Sequence, residues 1–186
     1  LFRDGRDPEA ALRRQLGLNP WLAERVAQGR PIGGAHATSD YSYRSAWSAD
    51  DGVVLCGDAF AFLDPVFSSG LMLALKSGVA AADAVEAALR AGDFRADRFA
   101  DYSRLMHEGI ENMRKLVYAF YDPKVSFRTV TDASPALAGD LTDCLSGDVN
   151  KDFSRLFAAF SEITRIPEPL DQGFPLPAET PRLVAA

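Results

Sequence analysis

The stretch of sequence that decides the fold is GVVLCGDAFAFLDPVFSSGL, residues 52–71. It reads as a short apolar run, a Gly-Asp pair, a loop with a proline, and a small-residue turn that opens a helix. The run from Val53 to Leu55 has no polar position, which is typical of a strand buried on both faces. We therefore expect Gly57 and Asp58 at the carboxyl edge of a sheet, where open α/β sheets bind ligands.

The small and polar residues of this stretch suit a ligand with hydroxyls and an electron-rich edge. A carboxylate at Asp58 can accept hydrogen bonds from sugar-like hydroxyls, although a Gly-Asp pair also commonly caps a turn. Glycines at positions 57 and 70 let the backbone approach a ligand closely. The helix that begins near Gly70 directs its free N–H groups and positive dipole end at the loop. Ser68 and Ser69 are predicted to cap that helix.

Helical signals occupy most of the remaining chain. Asp7-Pro8 and Asn19-Pro20 each combine a capping side chain with a proline at the first helical position, which predicts two short helices. Further helices are expected over residues 70–89, 96–120, 134–144 and 150–164. On the first of these, the predicted apolar face consists of Leu71, Leu75, Ala82, Val85 and Leu89.

Composition and charge exclude several classes of protein. The net charge of -6 over 186 residues offers no basic excess for binding nucleic acid. Cys56, Cys144, His36 and His107 match no metal-ligand spacing, so no metal site is expected. No apolar run or signal peptide indicates a membrane span, and a cytoplasmic location is expected. The charged start at Leu1 is interpreted as the interior of a longer polypeptide.

The Gly-Asp-Ala sequence at residues 57–59, followed by Pro65 and Gly70, resembles the second FAD motif of flavoproteins with a hydroxybenzoate-hydroxylase type of FAD domain. Within that group, DPVFSSG at residues 64–70 is most similar to flavin-dependent halogenases and their oxidoreductase relatives. The resemblance implies an FAD-dependent oxidoreductase, halogenase-like or monooxygenase-like. Such an enzyme uses reduced flavin and oxygen on a small organic substrate.

The same resemblance implies the architecture and the partners. The expected fold class is α+β and mostly helical: the carboxyl-terminal part of an FAD-binding α/β domain with an appended helical region. Residues 1–120 would belong to the FAD domain, 121–166 to the helical region and 167–186 to a proline-rich extended tail. The expected partners are a small-molecule substrate, a separate flavin reductase, and the remainder of the polypeptide, which would supply the amino-terminal half of the FAD domain.

The resemblance also implies site residues. Those expected to bind the flavin are Gly57, Asp58, Pro65, Ser68, Ser69, Gly70 and Leu71. Asp58 would bond the ribityl chain, and the amides of Ser69 and Gly70 would hold a halide. Phe67 is expected to contact the substrate, and it replaces the acidic residue of tryptophan-specific relatives. No catalytic residue is assigned, because those of the family precede this segment; Lys76 lies on the following helix.

Three alternatives remain open from the sequence. One is a flavin-dependent reductase of alkenes resembling geranylgeranyl reductase, which halide-dependent turnover would distinguish. Another is a non-catalytic helical binding module in which the Gly-Asp loop is structural. The third concerns five aromatic residues, which either line an aromatic substrate pocket or pack in the core and at interfaces. They are Tyr41, Tyr43, Trp47, Tyr118 and Tyr121.

Overall fold

The computed structural model describes residues 7–38 and 42–170 of the chain. These residues belong to two compact units that divide between positions 41 and 42. The predicted boundaries at 120 and 166 stay a prediction. Most of the proline-rich tail, from residue 171 onward, and residues 39–41, which include the candidate pocket residue Tyr41, lie outside the described residues.

The first unit is a helical hairpin. It consists of α1 (Pro8–Gly17) and α2 (Pro20–Ala27). The Asp7 carboxylate accepts hydrogen bonds from the backbone at the start of α1, and the Asn19 side chain does the same for α2. Each cap satisfies N–H groups that have no partner within the helix, so both predicted helix starts are confirmed.

Short antiparallel strand pairs begin the second unit. The first pair is β1 (Tyr43–Arg44) with β4 (Ala61–Phe62), in which Tyr43 lies opposite Phe62. The second pair is a hairpin of β2 (Ala49–Asp50) and β3 (Val53–Val54). Its turn includes Gly52, whose φ of +72° lies in the region that favours glycine.

The strand at β3 differs from the sequence prediction. Val53 is 47% exposed, and Val54 packs inward on a small cluster formed by Ala49, Ala88 and Phe99. The pair β2–β3 therefore has one face towards the core, as antiparallel ribbons commonly do. The prediction of a strand buried on both faces is wrong for the described chain, because an apolar run does not specify how many neighbours cover it.

Five helices follow the strands in the described part of the second unit. They are α3 (Gly70–Ala91), α4 (Ala100–Tyr121), α5 (Phe127–Ala133), α6 (Pro135–Ser146) and α7 (Ser154–Ser161). The mostly helical character expected from the sequence is confirmed. The short helix α5 was not predicted, and α7 is shorter than expected because residues 148–153 form a loop before it.

The core of the second unit lies where α4, α6 and α7 pack on the segment around β4. Its fully buried side chains include Phe60, Met113, Leu116, Leu156 and Phe160. Apolar burial on this scale is the main favourable term in folding. No helix among the described residues is long and apolar enough to cross a bilayer.

The buried face of α3 is not the predicted one. The helix buries Leu73, Ser77, Ala81 and Ala88. Leu71, Leu75 and Leu89 are instead 74%, 64% and 62% exposed. Small residues lie on the inner face because the chain at Gly57 approaches the helix closely: a Cβ on Gly57 would lie 3.1 Å from that of Ala74. An apolar stripe of α3 thus points away from this unit's core.

Candidate functional site

The Gly-Asp pair lies in a 3-10 turn, Gly57–Ala59, that follows β3. Gly57 has a φ of +54°, and a side chain there would press on Ala74, so conformation and space both require glycine. Asp58 beside it is exposed, and its carboxylate accepts no hydrogen bond from any described residue. The carboxylate is therefore available to a ligand.

Two hydroxyl groups fix the backbone on either side of the Asp58 side chain. The Ser77 hydroxyl, on α3, accepts a hydrogen bond from the Gly57 N–H at 2.8 Å and donates one to the Ala74 carbonyl at 2.9 Å. The Tyr43 hydroxyl, on β1, donates to the Asp58 carbonyl at 2.5 Å. Tyr43 and Ser77, here called the hydroxyl clamp, hold the Gly-Asp turn between β1 and α3.

The loop that follows carries a second tight turn. The Asp64 carboxylate accepts hydrogen bonds from the Val66 N–H at 3.1 Å and from the Tyr121 hydroxyl at 2.9 Å. The 3-10 turn Pro65–Phe67 ends at Ser68, whose φ of +53° is unusual for a residue other than glycine. Backbone strain of this kind persists where surrounding contacts enforce it, often at binding sites.

The amino end of α3 has no side-chain cap. Ser69 occupies the capping position, but its backbone is already helical and its hydroxyl makes no capping hydrogen bond. The prediction that the two serines cap the helix is therefore wrong, because capping side chains reach the first-turn amides from an extended backbone. Space beside Gly70 is open, since a Cβ there would meet nothing within 4 Å. The positive end of the helix is free to face an electron-rich ligand.

The structure brings the two ends of the motif together. A cavity of about 10 Å³ is bordered by Gly57 and Asp58 on one side and by Ser69 and Gly70 on the other. The remaining predicted cofactor residues lie next to it in sequence: Pro65 and Ser68 in the preceding turn, and Leu71 on the first turn of α3. The loop thus places the exposed Asp58 carboxylate beside the uncapped amino end of α3.

Phe67 has a different environment. Its ring packs against those of Phe120, at a centroid distance of 5.5 Å, and Phe127, at 6.1 Å. The side chain is half-buried and belongs to the edge of the main core. Its predicted contact with a substrate stays a prediction.

A buried histidine attaches β1 to α4. His107 is fully buried, its Nδ1 lies 3.2 Å from an Arg44 guanidinium nitrogen, and its ring meets Phe60 edge-on at 5.0 Å. Burial, together with the Arg44 charge, lowers the pKa of His107 to about 4, so the ring is neutral near pH 7. This placement fits the interpretation of His107 as a packed histidine rather than a catalyst.

Residues 7–38 and 42–170 contain no group of three or more His, Cys, Asp or Glu side chains that could hold a metal ion. Cys56 is exposed, whereas Cys144 is fully buried. Burial raises the pKa of the Cys144 thiol to about 12, which makes it unreactive at neutral pH.

Sequence reasoning missed the hydroxyl clamp. Ser77 and Ala74 gave a partial signal, because small residues recur on α3 at positions 70, 74, 77 and 81, the spacing of one helix face. Such a row of small side chains indicates that another segment packs closely there. The hydrogen bond from Tyr43 has no signal in the sequence, since it joins a strand to a turn that lies 15 residues further along the chain.

Comparisons with known proteins now identify the family. Residues 7–131 match the family model described as tryptophan halogenase, and the chain therefore belongs to the tryptophan halogenase family. The resemblance inferred from the Gly-Asp loop is confirmed.

The relatives match this chain over only part of their own length. The 1H-pyrrole-2-carbonyl-[peptidyl-carrier protein] chlorinase of Pseudomonas fluorescens is 36% identical over 112 residues, which cover 60% of this chain and 24% of that protein. A flavin-dependent halogenase of Acremonium egyptiacum is 38% identical over 73 residues, covering 39% of this chain and 13% of its own length. The chain thus spans about a quarter or less of these relatives.

A solved structure agrees with the flavoprotein fold. The flavoprotein/dehydrogenase from Cytophaga hutchinsonii superposes with a TM-score of 0.58 at 25% identity, and the match covers 84% of this chain and 40% of that one. The similarity extends well beyond the Gly-Asp loop into the helices that follow it.

Proposed function

We propose that this chain is part of an FAD-dependent, halogenase-like oxidoreductase and that the loop between β3 and α3 helps to hold the flavin. The observation that carries the proposal is the exposed Asp58 carboxylate beside the uncapped amino end of α3. Membership of the tryptophan halogenase family and the flavin-dependent relatives support the same cofactor.

The residues present fit FAD in chemical terms. A carboxylate such as Asp58 accepts hydrogen bonds from ribityl hydroxyls, and the free amides at Gly70 and Leu71 favour an electron-rich ring edge. Open space beside Gly70 leaves room for a planar ring. FAD supplies the redox chemistry when bound, with oxygen as its partner, while these residues bind and orient it.

A halide would bind at the same helix end. The amides of Ser69 and Gly70 are the proposed donors, since N–H groups at an uncapped helix start bind anions. Ser69 is buried while Gly70 is exposed, so an anion there would be partly shielded from water.

The names of two relatives support a proposal for the substrate and the partners. Two relatives act, by name, on a 1H-pyrrole-2-carbonyl group held on a peptidyl carrier protein, and we propose a small aromatic substrate of that kind. A separate flavin reductase would supply reduced flavin. The remainder of the polypeptide would complete the FAD domain, to which residues 1–120 belong, and residues 121–166 would form the appended helical region. It would also cover the exposed apolar stripe of α3 at Leu71, Leu75 and Leu89.

The test is FAD binding by the full-length protein. We expect a yellow protein in which Asp58→Ala raises the Kd for FAD at least about tenfold, as expected for loss of hydrogen bonds to a charged acceptor. The matched control is Asp83→Ala, an exposed aspartate on α3, which should leave the Kd unchanged. A colourless protein that takes up no added FAD contradicts the proposal and favours a binding module. Turnover of an alkene without halide favours the reductase.

A further inference from the structure

A second cavity, of about 190 Å³, lies between β1, β4 and α4. Its principal lining residues are Tyr43, Arg44, Phe62, Arg114 and Tyr118. We call it the aromatic cavity. We propose that it binds the substrate, a small planar ring carrying a carbonyl or carboxylate group. This inference rests on the proposed function and adds the place and the chemical class of the substrate.

The walls of the aromatic cavity suit a flat ring. The rings of Tyr43 and Phe62 stack with centroids 6.2 Å apart and planes 17° apart, while Tyr118 contributes a third aromatic ring from α4. Ile110 and Val117 add apolar surface. Aromatic and aliphatic walls with a few polar groups are typical of small-molecule sites. The small volume favours a single ring over a large ligand.

Arg114 supplies a fixed hydrogen-bond donor. Only 9% of this residue is exposed, and its Nε and Nη2 bind the Glu111 carboxylate at 2.9 and 2.6 Å. Nη2 also donates to the Glu168 carbonyl at 2.5 Å. The third nitrogen, Nη1, has no hydrogen-bond partner among the described residues. A guanidinium held in this way is preorganised to donate to an oxygen attached to the ring.

Charge in the aromatic cavity suits a carbonyl as well as a carboxylate. Glu111 balances the charge of Arg114, so the ligand need not be fully anionic. Arg44 adds a second guanidinium to the lining and contacts the neutral ring of His107, and the Asp64 carboxylate, which also lines the cavity, offsets part of this positive charge. The oxygen to be recognised therefore belongs either to a free acid or to an acyl group on a carrier.

The aromatic cavity adjoins the proposed flavin loop. Phe62 and Leu63 line both this cavity and the smaller one that borders Asp58 and Gly70. A ring bound in the aromatic cavity would therefore lie across a shared wall from the flavin loop. Holding two reactants near each other in this way contributes to catalysis by reducing the entropy cost of their encounter.

The experiment titrates the flavin-loaded full-length protein by calorimetry with three probes. They are pyrrole-2-carboxylate, its N-acetylcysteamine thioester, and pyrrole, which lacks the carbonyl. We expect pyrrole to bind at least about tenfold more weakly than the better of the other two, because it cannot accept from a charged donor. Tighter binding of the thioester indicates a carrier-bound substrate, and tighter binding of the acid indicates a free one.

A pair of variants locates the binding. Tyr118→Leu removes a wall of the aromatic cavity and should weaken the better probe at least about fivefold, a loss of aromatic contact of the usual size. Phe94→Leu, which changes an aromatic residue that is 44% exposed and lies outside both the cavity lining and the flavin loop, should change it less than about twofold. Melting curves of both variants check that the fold is retained.

Failure of this inference is distinguishable from failure of the proposed function. A protein that loads FAD but binds none of the probes, binds pyrrole equally well, or ignores Tyr118→Leu contradicts the substrate site alone. A protein that takes up no FAD contradicts the proposed function, and the same titrations on the unloaded protein then decide whether the aromatic cavity binds the ring.

Discussion

The hydroxyl clamp gives a prediction that separates flavin binding from folding. Tyr43→Phe removes one hydroxyl while the ring can keep its stack on Phe62. Tyr43 is 53% exposed, so water can replace the lost donor on the Asp58 carbonyl, and the free energy of unfolding should change little. The turn that positions the Asp58 carboxylate loses one of its two anchors. We expect FAD binding to weaken by about 1 kcal/mol, roughly a fivefold rise in Kd.

The second anchor should behave differently, because it is buried. Ser77→Ala leaves the Gly57 N–H without its acceptor and the Ala74 carbonyl without one donor. A buried donor without a partner costs roughly 1–3 kcal/mol, so this variant should lose about 2 kcal/mol of stability. For a folding unit of about 150–250 residues, that corresponds to a fall in Tm of roughly 4–8 °C, and the longer full-length protein should show a smaller fall.

The assay measures both quantities on the full-length protein. Quenching of flavin fluorescence gives the Kd for FAD, and thermal unfolding monitored by circular dichroism gives the Tm. Tyr118→Phe is the matched control, since Tyr118 is 55% exposed and lies outside the clamp. The reasoning is refuted if Tyr43→Phe and Tyr118→Phe have the same FAD affinity, or if Ser77→Ala retains both the stability and the affinity of the parent.

Two further predictions concern stability. Because the pKa of His107 is about 4 in the folded chain and near 6.5 when unfolded, the unfolded state binds more protons between these values. Stability is therefore fully present above pH 6.5 and falls towards pH 4, by at most about 3 kcal/mol, which urea unfolding across that range measures. Asp140 is 1% exposed and pairs with Arg155 at 2.7 Å and Lys151 at 3.0 Å. Asp140→Asn should cost about 2 kcal/mol in the same assay, because both cations lose their buried partner.

Controls for these two predictions are present in the chain. His107→Gln should reduce the pH dependence, whereas the exposed His36→Gln should leave it intact; equal slopes in all three proteins would contradict the assignment. Asp132→Asn removes an exposed pair with Arg128 and should cost less than about 0.5 kcal/mol. If Asp140→Asn lowered the free energy of unfolding no more than Asp132→Asn does, the buried ion pairs of Asp140 would contribute no more to stability than an exposed pair.

The sequence predicted those elements whose signals are local. Asp7 with Pro8 and Asn19 with Pro20 specify their own helix starts, and the structure has both caps. The order of strand, Gly-Asp pair, loop and helix was enough to place Asp58 beside the start of α3. These features depend on neighbours within a few residues, which a sequence pattern records directly.

Features that depend on the whole fold were not predictable. The larger apolar residues of α3, such as Leu71 and Leu75, were expected inside, but close approach of Gly57 reserves the inner face for small side chains. The bond from Tyr43 to Asp58 depends on the pairing of β1 with β4, which no local pattern specifies. The helix α5 was missed because its Thr, Val and Asp residues are poor helix formers.

The most direct test is a crystal structure of the full-length protein with FAD bound. We predict that the Asp58 carboxylate lies about 2.7–3.1 Å from a ribityl hydroxyl and that the isoalloxazine ring lies against the amino end of α3 at Gly70. A flavin bound elsewhere, with the Asp58 carboxylate still facing water, would contradict the account.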